Sequence, residues 1–142
     1  MIGGRNVKGG LLLVSLGIAA GLAMSLYAFE PLVPPPAGFK GYDDLPRRLI
    51  RLAHIAAIML PLVNVVLGGW LDRLRLSRRG KEWASWLLLG GGALLPAALV
   101  LEAAWAPARH LHLAGTPAVA FSLGVILVTV GAVRTDFQEV LR

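Results

Sequence analysis

The residues best equipped for chemistry in this 142-residue sequence are His54, His110 and His112, together with Glu102 and Arg51. Imidazole and carboxylate are the ligand types for zinc, copper, iron and haem. Arg47, Arg51, His54, Ile58 and Pro61 follow steps of three or four residues, so a helix places them on one stripe. The Arg51 guanidinium then stands one turn from His54 on the side nearer water. In a haem site a histidine binds the iron while a cation closer to the surface pairs with the propionates, which makes His54, His110, His112 and Arg51 a candidate haem b set. A transition metal without a porphyrin would draw instead on His54, His110, His112 and Glu102. The alternative is that no cofactor binds. The same residues then form a polar lock, with Arg51 snorkelling to the interface and Glu102 pairing with Arg51 or Arg109.

Other chemistries find little to work with. The chain has no cysteine, which removes disulfides, thiolate metal sites, iron–sulfur clusters and cysteine catalysis. The run Gly90-Gly91-Gly92 lacks the lysine and hydroxyl of a phosphate loop. No serine sits in a nucleophile motif, and no acid or base stands at the middle of an apolar run, where a proton relay would need one. The sequence therefore points to a non-enzymatic protein, with a membrane enzyme that uses a bound metal as the remaining alternative.

What must position these residues is a set of long apolar segments. Hydrophobic residues make up 56% of the chain and charged residues only 15%, against about 25% charged in soluble domains. A helix crosses the hydrocarbon of a bilayer with about 20 apolar residues. Four runs qualify, at about 11–29, 49–70, 83–105 and 117–133. They predict an all-α membrane protein, four transmembrane helices packed as a single bundle with no internal repeat and no second domain. The first run is read as a span rather than a cleaved signal peptide, because it exceeds a usual h-region and Leu26 stands where a small residue is wanted before a cut after Ala28.

The net charge of +6 could suit a nucleic acid, but the basic residues flank apolar runs, where they set helix orientation instead. Arg73, Arg75, Arg78, Arg79 and Lys81 fill the loop between the second and third runs. With that loop in the cytoplasm, Arg5, Lys8, Arg134 and Arg142 lie there too, nine basic residues against five on the opposite side, Lys40, Arg47, Arg48, Arg51 and Arg109. Both termini are then cytoplasmic, the membrane is the inner (plasma) membrane, and the histidines belong to the outer leaflet. Asp43 and Asp44 precede Arg47 and Arg48 by four residues and can pair with them. The run Pro31 to Pro36, with four prolines, reads as a stiff polyproline strap over the outer mouth. Trp83, Trp105, Tyr27 and Tyr42 suit interfacial anchors.

Helices in lipid associate through small residues and hydrogen bonds. Gly17, Gly21 and Ser25 recur at four-residue steps and predict a contact face, within the chain or between two copies; Ala120 and Gly124 do the same in the last run. Pro61 and Pro96 each free a backbone carbonyl inside a span, and Asn64 is placed to satisfy such a group or to join the second helix to a neighbour. Thr116 before Pro117 predicts an N-cap with the fourth helix starting at the proline. The functional expectation is a small membrane protein in a lipid bilayer, an accessory or electron-transfer subunit with a haem b site at His54, partnered by other membrane subunits or by itself. Its rival is a structural or interaction protein with no cofactor.

Overall fold

Each apolar run closes its backbone hydrogen bonds within itself, as a chain surrounded by hydrocarbon must. The computed structural model describes residues 1–28, 32–34, 41, 43–105 and 112–135. Its elements are α1 (Gly3–Ala28), α2 (Leu45–Leu71), α3 (Arg78–Trp105) and α4 (Gly115–Val133), with no strand among the described residues. All four are long and apolar enough to cross a membrane. The protein is an all-helical membrane bundle. Each helix packs mainly on its neighbours in the chain, and α1 also touches α3, whereas α1 and α4 occupy opposite flanks.

The helices extend past the apolar runs at their polar ends. α1 begins at Gly3 rather than near residue 11, because the carboxylate of Asp72 accepts the amides of Ile2 at 3.0 Å and Gly3 at 3.2 Å. Two orphan donors are thereby satisfied from a distant loop. α2 starts at Leu45, with Pro46 in its first turn, where a missing amide costs nothing. α3 starts at Arg78, and the Ser77 hydroxyl accepts the Gly80 amide at 3.1 Å in the manner of an N-cap. At the end of α4, Thr135 accepts the Arg75 amide at 2.8 Å and donates to the Gly131 carbonyl at 2.8 Å, tying the α2–α3 loop to that helix.

The start of α4 corrects the expected cap. The helix begins at Gly115, with Pro117 buried inside the first turn and Thr116 exposed and outside any capping role. Glu102 on α3 accepts the Ala114 amide at 2.7 Å instead. A carboxyl group supplied by the preceding helix has displaced the local hydroxyl, because it satisfies an orphan donor and at the same time joins two helices.

Size sorts the interior from the lipid surface. The buried positions of α2 are Ala53, Ala56, Pro61, Asn64, Gly68 and Leu71, while Ile55, Met59 and Val66 face outward. Apolar side chains lose nothing by facing lipid tails, so close backbone approach decides the interior. Leu71, Leu74, Ala84, Leu88, Phe121 and Val128 form the larger core at one end; Ala53, Ala56 and Leu99 form a smaller one at the other.

At Gly17 and Gly21 the stripe on α1 is covered by α2 of the same chain, whereas Ser25 is exposed and donates to the Leu22 carbonyl of its own helix. A methyl group placed on Gly17 would lie 2.6 Å from the Ala57 carbonyl oxygen, and one on Gly10 would lie 2.8 Å from that of Pro61. The Ala57 carbonyl is the one that Pro61, four residues on, cannot bond. Gly17 thus brings its Cα against a carbonyl the proline has freed, a contact of the Cα–H to oxygen kind.

Candidate functional site

His54 is the tenth of the 27 residues of α2, on the face that meets α1. Gly21 makes room for it: a methyl group there would stand 2.5 Å from Cε1 and 2.9 Å from Nε2 of the ring. The imidazole is therefore wedged into the α1–α2 seam, its Nε2 edge toward the α1 backbone. Its Nδ1 is buried and has no hydrogen-bond partner among the described residues. Arg51 stands one turn nearer the end of α2, as the spacing requires, and is partly buried.

Two further members of the sequence-derived set, Glu102 and His112, belong to other parts of the bundle, on α3 and just before α4. Glu102 is engaged with the Ala114 amide, so it joins α3 to α4. His112 precedes α4 outside the helix and is exposed. His110 and Arg109 lie outside the described residues, as do Tyr42 and, in the proline-rich run, Pro31, Pro35 and Pro36. Among the described residues no three His, Asp or Glu side chains are grouped to hold a metal ion. Asp44, expected to face Arg48, accepts the Gly41 amide with its carboxylate, and its carbonyl accepts the Arg48 amide at 3.0 Å. An apolar hollow of about 170 Å³ opens between α1 and α3 over Gly17, Ala57, Pro61, Gly92 and Pro96. That is below the roughly 300–1,000 Å³ of sites that take cofactor-sized ligands.

The densest polar arrangement lies at the other end of the bundle. Asn6, Asn64 and Ser85 are each fully buried. Asn6 Nδ2 donates to Asn64 Oδ1 at 2.8 Å and to the Ser85 carbonyl at 3.2 Å, and Asn6 Oδ1 accepts the Ser85 hydroxyl. Asn64 Nδ2 donates to the Leu88 carbonyl at 2.9 Å, and more distantly to the Leu60 carbonyl at 3.5 Å. Ser85 Oγ also accepts Nη2 and Nε of Arg5 at 2.7 and 3.2 Å, while the Arg5 guanidinium lies 4.1 Å from the centre of the Trp86 ring. Three helices are joined, and both amide protons of Asn6 are used. In hydrocarbon, where water cannot compensate, a network with every donor engaged holds helices in one register.

Asn64 was legible as helix-to-helix glue: its two shorter bonds go to α1 and α3, the longer one to Leu60 of its own helix, and none to a carbonyl freed by proline. Asn6 and Ser85 were not singled out. Their signal was there to read: a small polar side chain beside or within an apolar run must find a partner.

Comparison of the chain with protein-family models, with curated proteins and with solved structures yields no match.

Proposed function

We propose that this chain is a non-enzymatic structural subunit of a membrane assembly. It is a helical scaffold that locks its own helices with polar side chains and offers the apolar outer faces of α1 and α4 to lipid, to other membrane subunits or to a second copy. The observation that supports this reading is the Asn6–Asn64–Ser85 network, in which buried polar groups are engaged with one another across three helices. Glu102 serves the same end at the opposite pole through Ala114. Groups so engaged position helices, whereas catalysis or ion passage needs groups that exchange partners.

One observation favours a second reading, in which His54 ligates haem b in an electron-transfer subunit. The buried Nδ1 without a partner is a ring nitrogen left with capacity to bind. A haem on Nε2 would require α1 to move away at Gly21, since the ring edge meets that backbone. A bare metal on Nε2 meets the same obstacle.

Two measurements on the purified full chain separate these readings. The scaffold reading expects a native mass in mild detergent above that of the monomer, and a visible spectrum without a Soret band. A Soret band that disappears in His54→Ala would overturn it in favour of haem. A strictly monomeric mass with no pigment would overturn both.

We also place both termini and the α2–α3 loop on the cytoplasmic side of the plasma membrane, on the nine-to-five distribution of basic residues. Reporter fusions following Arg142 should be active only as cytoplasmic reporters. Activity of a periplasmic or extracellular reporter there would reverse the orientation and put His54 in the inner leaflet.

A further inference from the structure

The end of the bundle opposite His54 is strongly basic: eight Lys and Arg side chains of the described residues stand there against two carboxylates, Asp72 and Glu82. Both acids are engaged. Asp72 caps α1, and Glu82 pairs with Arg78 at 3.3 Å. Arg79 has neither an ion-pair nor a hydrogen-bond partner among the described residues. With Glu82, Trp83 and Trp86 it lines an open hollow of about 350 Å³ on one face of α3, the spacing of these residues being that of successive helical turns. The two indoles are 66% and 60% exposed, so neither belongs to the core. Arg5 holds the Trp86 ring from one side and is itself fixed by Ser85.

The order of groups along α3 is what matters. A free guanidinium comes first, at the polar end; two indoles follow, then the apolar residues 87–89. An anionic phospholipid presents its parts in the same sequence, a phosphate diester, then ester groups and glycerol, then acyl chains. Indole is the side chain that suits the middle layer, because it combines an apolar face with an N–H donor. The surplus of fixed positive charge around the hollow repels a choline or ethanolamine head and favours a lipid with net negative charge.

We propose that the Arg79–Trp83–Trp86 face is a seat for one anionic phospholipid, with the phosphate on Arg79 and the ester region against the two indoles. The seat depends on neither the orientation of the chain nor any cofactor.

The test uses the full chain with Trp70→Phe and Trp105→Phe, so that emission reports Trp83 and Trp86 alone, reconstituted in phosphatidylcholine bilayers. A small mole fraction of brominated phosphatidylglycerol or of brominated phosphatidylcholine is then added as quencher. The expected result is a relative association constant about fivefold in favour of phosphatidylglycerol, the effect of one basic residue at a membrane surface. Arg79→Gln should bring the ratio close to one. Arg134→Gln, which removes the same charge from the same end but away from the hollow, should leave it in place. Three outcomes would overturn the proposal: a ratio near one in the parent chain, an equal fall in both variants, which would mean diffuse attraction, or loss of the preference in millimolar inorganic phosphate, which would mean an anion site without lipid.

Discussion

Gly17→Leu should leave the chain inserted in the membrane but lower its unfolding midpoint in detergent by about 10 °C, the equivalent of about 3 kcal/mol. The expectation follows from what a side chain at position 17 would strike. Its Cβ would lie 2.6 Å from the Ala57 carbonyl oxygen and 3.1 Å from Ile58 Cγ1, so the first obstacle is backbone, which no rotamer change can move aside. α1 would have to retreat from α2, and the contacts along the rest of the seam, at Gly10 and Gly21, would open with it. Insertion itself depends on the apolarity of each segment, which leucine raises rather than lowers. Gly90→Ala is the matched control. A methyl group there meets nothing within 4 Å, so the gain in helix propensity should appear alone, neutral to about 1 kcal/mol in the stabilising direction. An unchanged midpoint in Gly17→Leu would show that the seam does not hold the helices.

The second large effect belongs to Asn64. Asn64→Leu removes the acceptor for Asn6 and the donor to the Leu88 carbonyl while keeping the number and branching of side-chain heavy atoms, and it should destabilise the bundle by about 2 kcal/mol. Hydrogen bonds between membrane helices are worth less than the absence of water suggests, because an inserted but unpacked helix also finds partners. Coupling therefore reads the network better than a single loss. In the cycle of Asn6→Ala and Asn64→Ala the double variant should lose about 1 kcal/mol less than the two single losses combined. Additive losses would mean that the two amides do not depend on each other, and that the register of α1 on α2 rests on packing alone.

The expected contact face at Gly17 and Gly21 is found where the spacing put it. Four-residue steps of small side chains are a property of one helix and can be read without knowing the partner. That the partner is α2 of the same chain, and that His54 is what Gly21 accommodates, could not be read, since both depend on which helices are neighbours. The histidine reading shows the same division. Arg51 and His54 share a face because they share a helix, but Glu102 reaches the Ala114 amide rather than His54, and His112 is exposed. Residues expected in one leaflet need not meet, because a leaflet fixes depth and says nothing of position around the bundle.

Four apolar runs, their approximate limits and their membrane environment followed from the sequence alone, since insertion sums transfer free energies over one segment at a time. The start of α1 depended instead on Asp72, about 70 residues away in the chain. The start of α4 depended on Glu102 rather than on Thr116 beside it. The Asn6–Asn64–Ser85 network joins residues up to 79 positions apart. Only the tertiary structure decided these, for one physical reason: an orphan amide or a buried side-chain amide takes the best-placed partner in space, and in hydrocarbon no water stands in for a partner that is merely near in sequence.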